Sequence, residues 1–191
     1  MQKHYCILYL KIKVSPDSLP TLFFKPNKTI FSVMLAQLEQ PDVLSILNAF
    51  LEGMTKTHGD IITTRHYDII LQCCARCEPE SNTSIALQTA LDAYALLEAN
   101  RDGTFLPSAV TYSHLMNTIG NQLPKTDKRR EALLIRIFKK AKNEGFVSYY
   151  VYSALRRCLT NKVAYDVLRP GVSKAGELSY DNVPKEWKRR C

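Results

Sequence analysis

The chain has 191 residues, 46% of them hydrophobic and 23% charged, which is the composition of an ordinary soluble domain. No apolar run approaches the roughly 18 residues of a membrane span, so a spanning segment is not expected. The net charge of +8 is concentrated in residues 121–191, which hold 17 of the 26 Lys and Arg but 7 of the 18 acidic residues. This basic half favours a nucleic acid or an acidic protein surface over an anionic small molecule.

Residues 1–24 precede the first repeated pattern and are interpreted as an N-terminal extension or the remnant of a preceding repeat. The first 16 residues contain three lysines and no acid, which agrees with an organelle transit peptide, but they lack arginine and are rich in β-forming residues.

Four later segments share one spacing, in which an aromatic residue is followed by mostly apolar residues three, four and seven positions on. These offsets place four side chains on one stripe of an α-helix. The aromatic residues recur after 36, 45 and 40 residues, a period typical of stacked helical hairpins. The four patterns are Phe31/Met34/Leu35/Leu38, Tyr67/Ile70/Leu71/Cys74, Tyr112/Leu115/Met116/Ile119 and Tyr152/Leu155/Arg156/Leu159.

A second amphipathic helix is predicted after each aromatic-led helix. Asn82 to Ser84 offer an N-cap for one of these second helices, and Thr126 or Asp127 offers one for the next. Glycine tolerates the left-handed backbone of a helix C-cap, so the glycines that follow are predicted to end the hairpins. The predicted buried residues and C-caps are Val43/Ile46/Leu47/Phe50/Leu51/Met54 with Gly59, Leu87/Ala90/Leu91/Tyr94/Leu97 with Gly103, and Leu134/Ile137/Phe138/Ala141 with Gly145.

These patterns predict an all-α fold, an α-solenoid of about three to four helix-turn-helix hairpins within residues 25–169. The predicted units are approximately 27–62, 63–107, 108–147 and 148–169. The last unit is short, because only Ala164, Val167 and Leu168 follow before Pro170, so we interpret it as a capping unit. Residues 170–191 are predicted to be a mostly irregular, basic C-terminal tail.

The six cysteines show no regular spacing, which favours a reducing compartment without structural disulfides. Cys74 and Cys77 form a C-x-x-C, but no second ligand pair follows at zinc-site spacing. No metal site is therefore expected. We interpret these cysteines as small apolar helix residues.

Catalytic patterns are missing from the sequence as well. There is no G-x-S-x-G turn, no Gly-rich phosphate loop and no H-E-x-x-H, and His66 and His114 lack a third partner for a triad. The expectation is a protein that is not an enzyme, with no cofactor and no small-molecule substrate.

Two junctions between predicted hairpins are more specific. Residues 103–112 read GTFLPSAVTY and residues 25–31 read KPNKTIF. Both resemble the repeat boundary of pentatricopeptide repeat (PPR) proteins, in which Pro and a polar residue precede a helix opening like V-V-T-Y. Tetratricopeptide repeats fit less well because their Trp, Leu-Gly and Ala-x-x-x-Phe landmarks are missing.

The resemblance implies a single-stranded RNA-binding protein of mitochondria or plastids that reads about one base per hairpin. It assigns recognition to the residue after each opening aromatic and to a residue at the boundary with the next unit. Those pairs are Ser32 with Thr63, Asp68 with Ser108, and Ser113 with Ser148, followed by Ser153. Hydroxyl groups both donate and accept, so weak base specificity is expected.

Phosphate contacts are expected from arginines on the first helices, namely Arg65, Arg156 and Arg157. A second basic run lies on a second helix and is either a solvated face or a contact to RNA backbone in a larger assembly. That run comprises Lys128, Arg129, Arg130, Arg136, Lys139, Lys140 and Lys142.

Two functions of different class follow from these patterns. One is an organellar RNA-binding adaptor in RNA processing, stability or translation, supported by protein partners or a larger ribonucleoprotein. The alternative is a structural or protein-interaction solenoid subunit of a large complex, without autonomous RNA recognition.

Overall fold

The structure is a computed structural model that describes residues 63–77, 84–99, 106–171 and 178–191. Within these ranges the chain forms α-helices and short 3-10 turns and no β-strand, which confirms the all-α prediction for this part of the chain. The α-helices are α1 (Thr64–Arg76), α2 (Ser84–Ala99), α3 (Ala109–Gln122), α4 (Lys128–Glu144), α5 (Tyr149–Cys158) and α6 (Asn161–Leu168).

Three of the four aromatic-led patterns form α1, α3 and α5. Their opening residues Tyr67, Tyr112 and Tyr152 are buried, and so are the apolar residues three and four positions later. Arg156, the charged member of the last pattern, is exposed. The Phe31 pattern, the hairpin predicted for residues 27–62 and the extension 1–24 lie outside the described residues.

Local capping explains where several helices begin and end. The Ser108 hydroxyl accepts the Val110 and Thr111 backbone N–H groups at 3.1 and 3.2 Å, which starts α3. Asp127 caps α4 in the same way, accepting the Arg129 N–H at 2.8 Å. Gly145 ends α4 with φ of 82°, as predicted from its sequence position. Gly59 and Gly103 lie outside the described residues, as do Asn82 and Thr83 before α2.

Helices α1 and α3 lie side by side and run in the same direction. Near their beginnings the Thr64 hydroxyl donates to the Leu106 carbonyl at 2.9 Å. Near their ends the Asn121 amide donates to the Ala75 carbonyl at 2.7 Å. Helix α5 packs on the other side of α3 in the same direction, with the Arg157 guanidinium 2.9 Å from Asn117 Oδ1. The aromatic-led helices therefore form one parallel layer.

Helices α2 and α4 form a second layer. Helix α2 packs against α1 and α3, and α4 packs against α3 and α5. An ion pair between Lys140 and Glu98 joins the two helices, and the Lys140 ammonium lies 5.7 Å from the Tyr94 ring centre. The main core lies between the layers. In it the buried rings of Tyr94 and Tyr112 meet edge to face.

The C-terminal segment, residues 178–191, packs against the helices. It contains two 3-10 turns, Tyr180–Asn182 and Lys185–Trp187. Trp187 is buried against Phe138 of α4, with ring centres 5.9 Å apart, and its carbonyl accepts the Val147 N–H at 2.8 Å. The tail predicted to be irregular thus contains no α-helix in its described part, but this part is anchored to α4 and to the loop after it.

Candidate nucleic-acid interface

One side of the parallel layer is not covered by α2 or α4. A helix turns 100° per residue, so positions −2, +5 and +9 from each buried tyrosine lie 140–180° away from the core. His114, two positions after Tyr112, lies on the same side of α3. We call this surface the open face, and its residues are Arg65, Gln72 and Arg76 on α1, Val110, His114, Asn117 and Asn121 on α3, and Tyr150 and Arg157 on α5.

Polar and cationic groups dominate the open face. Arg65, Arg76 and Arg157 are exposed, and Asn117 joins α3 to α5 through its hydrogen bond with Arg157. None of the open-face residues is acidic. Burial lowers the pKa of His114, and the nearby Arg76 charge lowers it further. This combination of cations and amide groups can contact a phosphate backbone and base edges.

Asp68 and Ser108, predicted to act as a pair, are brought together by the structure. The Ser108 hydroxyl donates to Asp68 Oδ2 at 3.2 Å, and the Thr111 hydroxyl donates to Asp68 Oδ1. Burial raises the pKa of the Asp68 carboxyl, while these two hydrogen bonds oppose the rise. The position after each tyrosine lies about 100° from the core, in the seam between successive parallel helices. These polar groups therefore join α1 to α3.

Those of the remaining predicted recognition residues that the structure describes also lie at helix starts or in seams. Ser113 is only 6% exposed and Ser153 is half-buried. Ser148 caps α5 by accepting the Val151 N–H at 3.3 Å. Thr63 precedes α1, and its backbone N–H donates to His66 Nδ1 at 3.1 Å. Ser32 lies outside the described residues.

The three arginines predicted to contact phosphates are all exposed, but only two lie on the open face. Arg65 and Arg157 belong to it. Arg156 lies on the flank of α5, with its guanidinium carbon 5.9 Å from the centre of the Tyr152 ring. Within the described residues, no carboxylate lies within ion-pair distance of any of the three.

The basic run on α4 lies on the opposite side of the molecule. Lys128, Arg136 and Lys139 are exposed there. Arg130 was predicted to share this surface, and that prediction is wrong. Its side chain turns inward, donating to the Leu123 carbonyl at 2.6 Å and to the Cys158 carbonyl at 2.9 and 3.1 Å. Those carbonyls lie at the ends of α3 and α5, which need donors.

The cysteines of α1 behave as core residues. Cys73 and Cys74 are fully buried, as predicted, and burial raises the pKa of the Cys73 thiol to about 12.

Among the described residues, no group of three or more His, Cys, Asp and Glu side chains is arranged to hold a metal ion. In the same part of the chain, no helix is both long and apolar enough to cross a membrane.

Several open-face residues were not among the predicted site residues, chiefly Gln72, Arg76, Asn117 and Tyr150. The helical angle from each buried tyrosine identifies all of them, because the open face lies opposite the core stripe.

Comparison with family models, curated proteins and solved structures found no match for this chain. The candidate interface therefore depends on the residues and their geometry.

Proposed function

We propose that the chain is an α-solenoid that binds single-stranded RNA along the open face. The observation that carries this proposal is the parallel, side-by-side packing of α1, α3 and α5. Parallel helices at one register place equivalent residues in rows, so successive nucleotides can meet successive helices.

The size of the open face limits what it binds. Packed helices are about 8–10 Å apart, so three of them form a face of roughly 20 Å between the outer axes. A strand of a few nucleotides covers this width. Arg65, Arg76 and Arg157 supply phosphate contacts, and Asn117 supplies an amide for a base edge.

Base specificity is expected to be weak. Asp68 and Ser108 are hydrogen-bonded to each other, so their lone pairs are partly used within the protein. The proposed role is an adaptor in RNA processing, stability or translation that works with protein partners or within a larger ribonucleoprotein. The resemblance of the LPSAVTY junction to PPR proteins favours a mitochondrion or plastid as its location.

The test is a fluorescence-anisotropy titration of short single-stranded and duplex RNA at two salt concentrations. Saturable binding to the single strand is expected. Neutralising two phosphate contacts should reduce the salt slope by about 1.4, since each contributes about 0.7 for single strands. The variant is Arg65→Ala/Arg157→Ala, which removes two exposed arginines of the open face.

Arg136→Ala/Lys139→Ala is the matched control, because it removes the same charge from the exposed face of α4. It should leave the single-strand salt slope nearly unchanged. Equal effects of the two double variants would contradict binding at the open face. Absence of binding below about 100 μM near physiological salt would contradict RNA binding altogether, because even non-specific association reaches that range.

The alternative is a structural or protein-interaction subunit. The seam between α1 and α3 favours this alternative. The hydrogen bonds of Asp68 with Ser108 and Thr111 hold the two helices together there, so these groups serve packing rather than a ligand. The same titration separates the two functions. Under the alternative, the chain would not bind RNA in this titration.

A further inference from the structure

Two of the most exposed aromatic side chains in the described part of the chain stand side by side at the start of α5. Tyr149 is 58% exposed and Tyr150 is 70% exposed. At the equivalent positions α1 has Thr64 and Arg65, and α3 has Ala109 and Val110. The aromatic pair is therefore not part of the repeat, and the core does not require it.

These two rings belong to a chain of four tyrosines. Tyr150 contacts Tyr149 with ring centres 6.1 Å apart, Tyr149 contacts Tyr180 at 5.7 Å, and Tyr180 contacts the buried Tyr152 at 5.8 Å. We call this arrangement the tyrosine ladder. Because Tyr180 belongs to the C-terminal segment, the docking of that segment fixes the exposed end of the ladder.

Two cations lie against the less exposed rings of the ladder. The Lys188 ammonium lies 4.8 Å from the centre of the Tyr180 ring, and Arg156 lies 5.9 Å from that of Tyr152. Arg157 is seven residues after Tyr150, on the same stripe of α5 and about 10 Å along the axis. An exposed ring on the same helix stripe as an exposed arginine is a suitable arrangement for an unpaired base to stack while the backbone phosphate is neutralised.

We propose that the tyrosine ladder is a stacking site for an unpaired nucleobase of single-stranded RNA. The base lies on Tyr150, and Arg157 contacts a phosphate of the same strand. The C-terminal segment supports the site by holding Tyr149 through Tyr180. This inference rests on the proposed function and adds to it a site that reads the ring of a base rather than its hydrogen-bonding edge.

The experiment measures the Kd of a short single-stranded RNA and of an abasic oligomer of the same length. Tyr150→Ala should weaken RNA binding between about five- and a hundredfold and leave the salt slope unchanged. Tyr150→Phe should bind like the wild type, because it keeps the ring. Neither variant should change abasic binding. Tyr165→Ala, at another exposed tyrosine on α6, is the matched control.

Tyr180→Ala tests the contribution of the C-terminal segment and should also weaken RNA binding, with circular dichroism showing that the helices remain folded. If Tyr150→Ala binds RNA as tightly as the wild type while Arg65→Ala/Arg157→Ala weakens it, the stacking site is overturned and the proposed function stands. If the wild-type chain binds no RNA, both fail. An equal loss for abasic and normal RNA in Tyr150→Ala would also overturn the stacking site.

Discussion

Two neighbouring arginines at the start of α4 have opposite surroundings. Arg129 has an exposed side chain and pairs with Asp127 at 2.7 Å. Arg130 is only 8% exposed and donates to the carbonyls of Leu123 and Cys158. A guanidinium at the ends of α3 and α5 also opposes the partial negative charge of both helix C-termini. One side chain thus connects three helices.

Arg130→Ala should lower the free energy of unfolding by about 3 kcal/mol, because buried carbonyls lose charged donors. Arg129→Ala should lower it much less, because an exposed ion pair contributes little to stability. Urea unfolding followed by circular dichroism measures both. Similar losses for the two variants would show that the inward hydrogen bonds of Arg130 do not stabilise the fold.

His114 gives the fold a dependence on pH. Burial and the Arg76 charge lower its pKa below the ordinary 6.5, so the folded protein prefers the neutral imidazole. As the pH falls, the imidazole of His114 therefore binds a proton at a higher pH in the unfolded chain than in the folded protein. Stability at pH 7 is unaffected, and the free energy of unfolding decreases as the pH drops below about 6.5 towards the folded-state pKa.

His114→Asn should therefore reduce the decrease in melting temperature between pH 7 and pH 5. The pKa of His66 is also lowered, chiefly by burial. His66→Asn should therefore reduce the decrease in melting temperature between pH 7 and pH 5 as well. Thermal melts at several pH values, monitored by circular dichroism, give the comparison. An unchanged pH profile in His114→Asn would count against this account of His114.

At the scale of helices, the contact between α3 and α5 requires a small residue. Gly120 lies in α3 directly against Cys158 of α5, and a Cβ at this position would overlap the Cys158 sulfur. The Cys158 thiol also lies 3.6 Å from the Met116 carbonyl. The two parallel helices can approach this closely because position 120 carries no side chain.

Gly120→Ala should destabilise the fold by about 1–3 kcal/mol through overpacking. Cys158→Ala in the same chain should recover part of this loss, because it removes the overlapping sulfur. A double-mutant cycle in urea measures the coupling. Strict additivity of the two substitutions would indicate that α3 and α5 separate freely and that the close approach is not needed.

Features within a single helix could be predicted from the sequence, whereas the hydrogen bonds between α1 and α3 could not. The buried tyrosine stripes, the Ser108 cap and the Gly145 C-cap were predictable, because each depends on helical periodicity or local backbone geometry. The hydrogen bonds of Asp68 with Ser108 and Thr111 were not predictable, because those residues are about 40 positions apart in the chain. Their contact depends on how two helices pack.

At the scale of the whole molecule, the C-terminal segment connects the last helices. Trp187 is the only tryptophan of the chain, and it is buried against Phe138 with the Lys142 ammonium 4.3 Å from its ring centre. The segment also bonds to the end of α4, where the Arg190 N–H donates to the Gly145 carbonyl at 3.0 Å. The fluorescence emission of Trp187 therefore reports whether the C-terminal segment is docked.

Tryptophan fluorescence and far-UV circular dichroism should change together during urea unfolding, because the segment shares the core of α4. Trp187→Ala should destabilise the fold by about 3–5 kcal/mol, as expected when a large buried ring is removed. A fluorescence transition at clearly lower urea than the circular dichroism transition would show that the segment undocks independently of the helices.

The sequence by itself determined the helical class, the positions of the described helices and which of their faces are buried, because all of these follow from spacings within about ten residues. Only the tertiary structure decided that Arg130 turns inward, that Asp68 lies in a seam and that Tyr180 joins the tyrosines of α5. Each of these depends on contacts between residues far apart in the chain. The candidate interface needed both, since periodicity defines the side away from the core and packing shows that α2 and α4 leave it uncovered.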